Sequence, residues 1–552
     1  MARKQLARQL VSAACGGGSS AQSQPIRRFA LYEHHFGNIG DCPNISATPS
    51  DFHSHLCQKI RHAQERVILA SLYIGVGSRH DISQQMGEIS KEDQFLQSLY
   101  VAASNEKIKQ MQIILDANRA MRKVSLTNKR NAGQSHDDSN QEGKSLSSNS
   151  ADTVLSALKP FIERIEGGDH SKGSDNNGLF LFPVNDQRLC TILPSPLDEV
   201  AGVFHIKAYL VDDELILSGA NLSEEYFSNR LDRYMLFTNG GGGLVDFYAD
   251  LCDALCSYSI KYDGQSSLLS TQNNDSRKKQ QLESSLTRLF VDEAPTTIPD
   301  SCDDAASSPV AYAVPTFQMP GSYLGRPFQF QSDNNATRDL LLAAVESDQA
   351  MSVRLSSAYL NLTPRLRSIL TMFGNRRGGA PYVLTAGAMS HGFAPKKNIN
   401  SNQNNIGLVG RIKASIPNAF LTLVREASQS LISCGGKILL YERPGWTFHA
   451  KGVWITANDT DTSRRELIDD SASVVSTIIG SGNYGVRSED LDVESNCIIV
   501  FNEQRKSKSI QQYVANEWNS MCEQSMEPGE HDFGDDVNKL TTIVVQFMKK
   551  FL

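Results

Sequence analysis

Residues 204–234 read FHIKAYLVDDELILSGANLSEEYFSNRLDRY. Along two short apolar runs they place an imidazole (His205), an ammonium (Lys207), a carboxylate (Asp212), a small-residue turn (Ser218, Gly219, Ala220, Asn221) and a second carboxylate (Asp232). Residues i and i+2 of an extended chain share a face, so His205 and Lys207 should enter one pocket while Ile206 turns to the core. The runs 208–211 and 215–217 read as a hairpin with Asp212, Asp213 and Glu214 at its tip, and Asn221 brings amide hydrogen-bonding groups to the end of the second strand.

The same kit returns later in the chain: His449, Lys451, Gly480, Ser481, Asn483 and Glu494 follow in that order. Asn221 to Asp232 spans the same interval as Asn483 to Glu494, and each carboxylate is followed by an apolar run. His170-Ser171-Lys172 is a third tripeptide of the type, but it sits in a Gly/Ser/Asp-rich loop with no strand around it. Repetition of the whole order implies an internal duplication. A carboxylate that accepts from an imidazole fixes its tautomer, which is the role expected of Asp232 and Glu494. His, Lys and Asn from both copies would surround a phosphoryl group with charge and donors, with no metal required.

At these residues the chain resembles the phospholipase D superfamily, whose motif runs His-x-Lys, four residues, Asp, six residues, Gly-Ser-x-Asn. Residues 205–234 and GWTFHAKGVWI (445–455) are similar to the signature segments of the eukaryotic mitochondrial phosphatidylglycerophosphate synthases, and LDANRAMR (115–122) and LTAGAMSHGF (384–393) are more weakly so. The resemblance implies an α/β fold of two duplicated α/β sandwich halves, packed about a pseudo-twofold axis with one shared active site. It implies transfer of a phosphatidyl group from CDP-diacylglycerol to glycerol 3-phosphate through a phosphohistidine, without cofactor or metal. His205, Lys207, Asp212, His449 and Lys451 would be catalytic; Asn221, Asn483, Ser481, Asp232 and Glu494 would bind phosphate or support; Arg119 and Arg122 would clamp the acceptor phosphate. The place implied is the mitochondrial inner membrane, held peripherally. A phospholipase or phosphodiesterase on the same scaffold, or an inactive lipid-binding scaffold, are the competing readings.

Two departures stand out. Asp212 to Asn221 is one residue shorter than the pattern, with Ser218 where Gly would be; in the second copy Thr456 holds the Asp position and a polar insertion over 457–473 precedes Gly480.

At 552 residues, 40% hydrophobic and 21% charged, the chain is long enough for a fused pair of domains, and its net charge of -7 argues against a general nucleic-acid binder. Residues 1–32 carry Arg3, Lys4, Arg8, Arg27 and Arg28 but no acid, with Leu6, Leu10 and Val11 available for one helical face, the composition of a mitochondrial or plastid presequence, with a disordered basic tail as the alternative. Ten cysteines without C-x-x-C indicate free thiols, with Cys252 and Cys256 on the apolar face of a helix. No window reaches the roughly twenty apolar residues of a membrane span, so a lipid substrate would be met at a surface. Leu540, Ile543, Val544, Phe547, Met548 and Phe551 form a C-terminal helical face, expected to dock on its own domain ahead of lying in a headgroup layer.

These readings divide the chain into a targeting or disordered segment (1–40), a first half (41–262), a polar linker (263–310), a second half (311–528) and an amphipathic helix (529–552). Helices are expected over 51–64, 92–104, 151–165 and 244–260, and again over 335–347, 363–373, 417–433 and 507–524, alternating with strands. Polar stretches at 127–153, 167–177, 263–285 and 296–308 read as mobile loops.

Overall fold

The computed structural model describes residues 2–15, 26–40, 47–76, 89–121, 154–167, 176–184, 202–263, 276–292, 308–320, 329–376, 379–393, 408–457, 473–502, 508–533 and 539–551. Arg122, the tripeptide at His170, the stretch 127–153 and most of 167–177 and 457–473 lie outside the described residues.

The first half contributes strands β1 (Arg66–Ser71), β2 (Gln110–Asp116), β3 (Gly178–Phe182), β4 (Ala208–Val211), β5 (Glu214–Ser218) and β6 (Tyr234–Phe237). The second contributes β7 (Met351–Ser356), β8 (Pro381–Ala386), β9 (Lys437–Tyr441), β10 (Gly452–Ala457), β11 (Ser473–Gly480) and β12 (Glu494–Phe501). Their orders are β3-β2-β1-β4-β5-β6 and β9-β8-β7-β10-β11-β12. In both sheets the first three strands run parallel and the remaining neighbours antiparallel. Ser71 faces Leu115 in one sheet as Ser356 faces Leu384 in the other, so the copies agree in register. The duplicated α/β architecture expected from the sequence is the observed one.

Strands covered on both faces read as unbroken apolar runs, and Val67 to Ala70 is such a run. Val67 and Leu69 pack with Phe52, Leu56, Phe95, Leu99, Leu158 and Ile162, which come from helices Pro49–His62, Lys91–Ala103 and Val154–Gly167. The opposite face, with Ile68, Leu210, Leu217 and Phe237, joins a core continuous with Val314, Val353 and Ile498 of the second half. The sheets are therefore fused through shared apolar burial. Helix starts follow local chemistry: Pro49 stands at the first turn, the Thr48 hydroxyl accepts from the Asp51 amide, and Asp51 accepts from the Thr48 amide. Such a capping box satisfies two backbone donors that would otherwise have no helical partner.

The structure corrects or adds to several expectations. Helix Ala2–Ala14 is not a free tail: it buries Leu6, Leu10 and Val11 in the common core against helix Ser332–Glu346. Phe29–Leu31 then pairs with strand Ala311–Met319 beside the second sheet, and Phe36–Gly37 pairs with β6 of the first. The apolar face seen in the sequence is satisfied inside the molecule, and the segment bridges both halves. Nor is 263–310 only a loop, because helix Ser276–Thr287 and the wider turn Arg288–Asp292 bury Leu282, Leu286 and Phe290. Strands β3, β9 and Ala311–Met319 are further elements that the sequence reading did not place. Finally, helix Lys539–Phe551 docks as expected on helix Leu408–Ile432, but with Val544, Val545 and Met548 inward and Ile543 and Phe547 exposed.

Candidate active site

His205 and Lys207 lie in the extended lead-in to β4 and Lys451 immediately before β10. Each histidine segment is stitched to the opposite half. The His205 amide donates to the Val493 carbonyl at 2.8 Å, and the Val493 amide donates to Val203 at 2.9 Å, one residue before Glu494. Reciprocally, the His449 amide donates to Leu231 at 2.8 Å, and Thr447–Phe448 pairs with Arg230–Leu231, just ahead of Asp232. This backbone exchange sends each half's carboxylate to the other half's imidazole.

Nδ1 of His205 lies 3.0 Å from both oxygens of Glu494. Nδ1 of His449 lies 2.6 Å from Oδ2 of Asp232. Glu494 also accepts from the Ser481 and Ser488 hydroxyls, and Asp232 accepts from the Arg233 amide. Each Nδ1–H is thus committed to a carboxylate, which leaves Nε2 as the reactive nitrogen. Among the described residues Nε2 of His205 has no hydrogen-bond partner, whereas Nε2 of His449 lies 3.1 Å from the Tyr226 hydroxyl and 3.3 Å from Nζ of Lys451, an ammonium that also stands 2.7 Å from Nδ1 of the same ring.

Lys207 and Lys451 are each 1% exposed. Their ammonium groups donate to the backbone carbonyls of His205 and His449 at 2.7 Å and 2.9 Å, so each is clamped beside its own imidazole. Burial lowers both lysines, Lys451 to about 8 against the opposing pull of Asp232. Burial also raises Asp232 and Glu494, against the neighbouring ammonium groups. Both histidines are pushed well below the usual imidazole value by burial, then by the lysine two residues on. Two lysines match two carboxylates, and the imidazoles rest neutral. A bound phosphodiester anion adds the negative charge that lets one of them hold a proton.

The amide nitrogen of Asn221 donates to the Tyr226 hydroxyl at 3.1 Å. The buried amide oxygens of Asn221 and Asn483 have no partner among the described residues. Buried polar atoms are rarely left so, and unspent capacity at both turns fits a site that a polar ligand completes. Gly219 is required at its turn: a Cβ there would meet Asp232 Oδ1 at 2.6 Å and Lys451 Nζ at 2.9 Å.

Asp212 does not belong to this cluster. It sits at the β4–β5 turn with φ 51, and its carboxylate accepts from the amides of Gln64, Glu65 and Arg66 at 2.7–3.1 Å. Its work is to pin the start of β1. In the second half the equivalent Thr456 is inside β10, opposite Ser352 and Val474. The departure at Thr456 is therefore remote from the imidazoles.

Arg119 lies over the Tyr73 ring at 5.3 Å, on a turn capped by Asp116, whose other oxygen accepts from the Phe204 amide. Arg122 lies outside the described residues. Sequence reasoning missed Tyr226, Arg230 and Arg233. Arg230 stacks over Tyr226 at 4.7 Å and donates to the Tyr359 hydroxyl at 3.3 Å. Arg233 crosses into the second half, donating to Glu517 at 2.7 Å and Ile478 at 2.8 Å, with its guanidinium 3.9 Å from a Trp454 ring centroid. The available signal was the adjacency of Asp232, Arg233 and Tyr234, an acid, a base and an aromatic directly ahead of the apolar run 235–237.

The crossed carboxylates and the mutual influence of the two lysines on both imidazoles put His205, Lys207, His449 and Lys451 in one buried charge cluster. Against solved structures, the chain matches phosphatidylserine synthase from Haemophilus influenzae with a TM-score of 0.61, 17% identity, and coverage of 99% of this chain and 97% of that one. Among curated proteins, the mitochondrial CDP-diacylglycerol--glycerol-3-phosphate 3-phosphatidyltransferase of Homo sapiens is 28% identical over 510 residues, covering 86% of this chain and 77% of that protein. These matches agree with the resemblance to the phospholipase D superfamily that the two histidine motifs carry. The CDP-diacylglycerol--glycerol-3-phosphate 3-phosphatidyltransferase of Saccharomyces pastorianus is 26% identical, covering 89% of this chain and 84% of its own length. No family model matches.

Proposed function

We propose that this phosphatidyltransferase of the phospholipase D superfamily takes CDP-diacylglycerol as donor and glycerol 3-phosphate as acceptor, giving phosphatidylglycerophosphate and CMP. The observation that carries the reading is the crossed pair His205–Glu494 and His449–Asp232, which gives one site two tautomer-fixed imidazoles. The relatives named above supply the donor and acceptor.

In the first step Nε2 of His205 attacks the phosphatidyl phosphorus, an N–P bond forms, and the bond to the CMP oxygen breaks. In the second the acceptor hydroxyl loses its proton toward His449, its oxygen attacks phosphorus, and the N–P bond breaks with the electron pair returning to His205. Lys207, Lys451, Asn221 and Asn483 hold the non-bridging oxygens, whose charge stays high along the path. Arg119 is the proposed clamp for the acceptor's own phosphate, since a guanidinium suits that anion. Action on a membrane lipid would take place at the surface, because no described helix is long and apolar enough to cross a membrane. The exposed Ile543 and Phe547 offer apolar contact there, and the relatives' names point to mitochondria.

Incubating purified protein with CDP-diacylglycerol in mixed micelles, in chelator, with and without glycerol 3-phosphate, tests the reading. CMP release with phosphatidylglycerophosphate as product is expected; phosphatidic acid as the dominant product despite saturating acceptor would make the protein a hydrolase.

A further inference from the structure

The two histidines are not equivalent, and Tyr226 makes the difference. Tyr226 and Ser488 occupy matching places, each five residues after the turn asparagine and six before the carboxylate. Ser488 turns to its own half's carboxylate, Glu494, at 2.7 Å. Tyr226 crosses to the other half, with its hydroxyl 3.1 Å from Nε2 of His449 and the rings edge to face at 5.0 Å. The phenol oxygen accepts from Asn221, which can only donate through that nitrogen, so its one proton is free to point at His449. With the Nδ1 proton directed at Asp232, 2.6 Å away, the Nε2 lone pair faces Tyr226 at 3.1 Å, nearer than the Lys451 ammonium at 3.3 Å. Nε2 of His205 carries no such occupant among the described residues.

We propose that Tyr226 is a catalytic proton relay between His449 and the alcohol acceptor, and that its seat on Nε2 of His449 leaves His205 as the nucleophile. The relay rests on the phosphatidyltransferase reading given above. As the acceptor oxygen attacks the phosphatidyl-histidine, its proton passes to the Tyr226 oxygen, the Tyr226 proton passes to Nε2 of His449, and the P–N bond to His205 breaks. No net charge rests on the phenol when the two transfers are concerted. Arg230, stacked on the ring, and Asn221, donating to the oxygen, both favour the build-up of negative charge there. The two steps need the relay unequally. A departing phosphomonoester such as CMP has a pKa near ~6 and leaves with little help, whereas an alcohol must lose its proton to attack.

The experiment separates the steps. Protein is mixed with CDP-diacylglycerol alone, the CMP burst and the protein-bound phosphatidyl group are measured by rapid quench, and glycerol 3-phosphate is then added to follow single-turnover transfer. Tyr226→Phe is expected to keep the burst within about threefold of wild type and to slow transfer by roughly 100-fold or more, the scale of a lost general acid-base group. Equal slowing of both steps would make Tyr226 a packing residue, and undiminished transfer would leave it outside the proton path; either overturns the relay. A wild-type protein with no CMP burst overturns the transferase reading itself. Should the variant fail to fold, transfer by wild type in mixtures of light and heavy water decides: two protons in flight give a curved dependence on deuterium fraction, and a straight line overturns the relay.

Discussion

Glu494 of the second half places both oxygens 3.0 Å from Nδ1 of His205 in the first, while Asp232 of the first half lies 2.6 Å from Nδ1 of His449 in the second. Neither half holds a complete histidine-carboxylate pair by itself. The fusion of the halves, through the shared core and the N-terminal bridge, is therefore a condition for chemistry.

That crossing predicts which step each carboxylate serves. Glu494→Gln removes the tautomer lock from His205 and should slow formation of the phosphatidyl adduct by roughly 10²- to 10⁴-fold. Asp232→Asn should slow chiefly the transfer to acceptor. Rapid-quench kinetics on both variants check the assignment; the same step slowed in both would contradict it.

Lysine charge sets the alkaline limb. Lys451 must be protonated to hold phosphate oxygens, and burial has lowered it to about 8 from the ordinary value of 10.5. kcat/KM, which reports the free enzyme, should fall as pH rises through about 8. Stability follows the opposite sign: between these values the unfolded chain holds a proton the folded chain has released, so this group's contribution to unfolding free energy rises with pH. A rate profile flat to about pH 10 would show Lys451 to keep an ordinary lysine's pKa.

Asp212 separates structure from catalysis. Asp212→Asn keeps a residue that tolerates positive φ but loses the charge that gathers the amides of residues 64–66. A stability loss of about 1–3 kcal/mol is expected, with kcat/KM within about twofold of wild type. A large loss of activity in a fully folded variant would return Asp212 to the site.

Arg233 and Glu517, each 2% exposed at the side chain and 2.7 Å apart, form a buried ion pair across the halves. Arg233→Met strands a carboxylate and should cost about 3–5 kcal/mol, whereas Arg233→Met with Glu517→Leu should recover most of it. Denaturant unfolding of the single and double variants measures this. Gly452 is the companion feature: a Cβ there would stand 1.9 Å from the Arg233 guanidinium.

Much of this was legible in the sequence. Repetition of His-x-Lys, a small-residue turn and a carboxylate at equal final spacing led to the duplicated sheets and to both imidazoles. Asp212 was misplaced because motif position alone does not say whether a carboxylate faces a pocket or three backbone amides. The crossing of Asp232 and Glu494 depends on backbone pairing between residues far apart in the chain, such as His205 with Val493, and periodicity carries no such information. Tyr226 was passed over because an aromatic in a helical turn most often fills a core, as its buried ring also does here. The apolar face of Leu6, Leu10 and Val11 was legible in the first helix, but not its burial against helix Ser332–Glu346, a contact between residues far apart in the chain.

The most direct test of the central claim is to quench protein with labelled CDP-diacylglycerol before acceptor is added and to locate the phosphatidyl group by peptide mapping under alkaline conditions. The label should sit on His205 and vanish in His205→Asn, with CMP release lost alongside it. Label on His449, or CMP release that survives His205→Asn at near wild-type rate, would contradict the account.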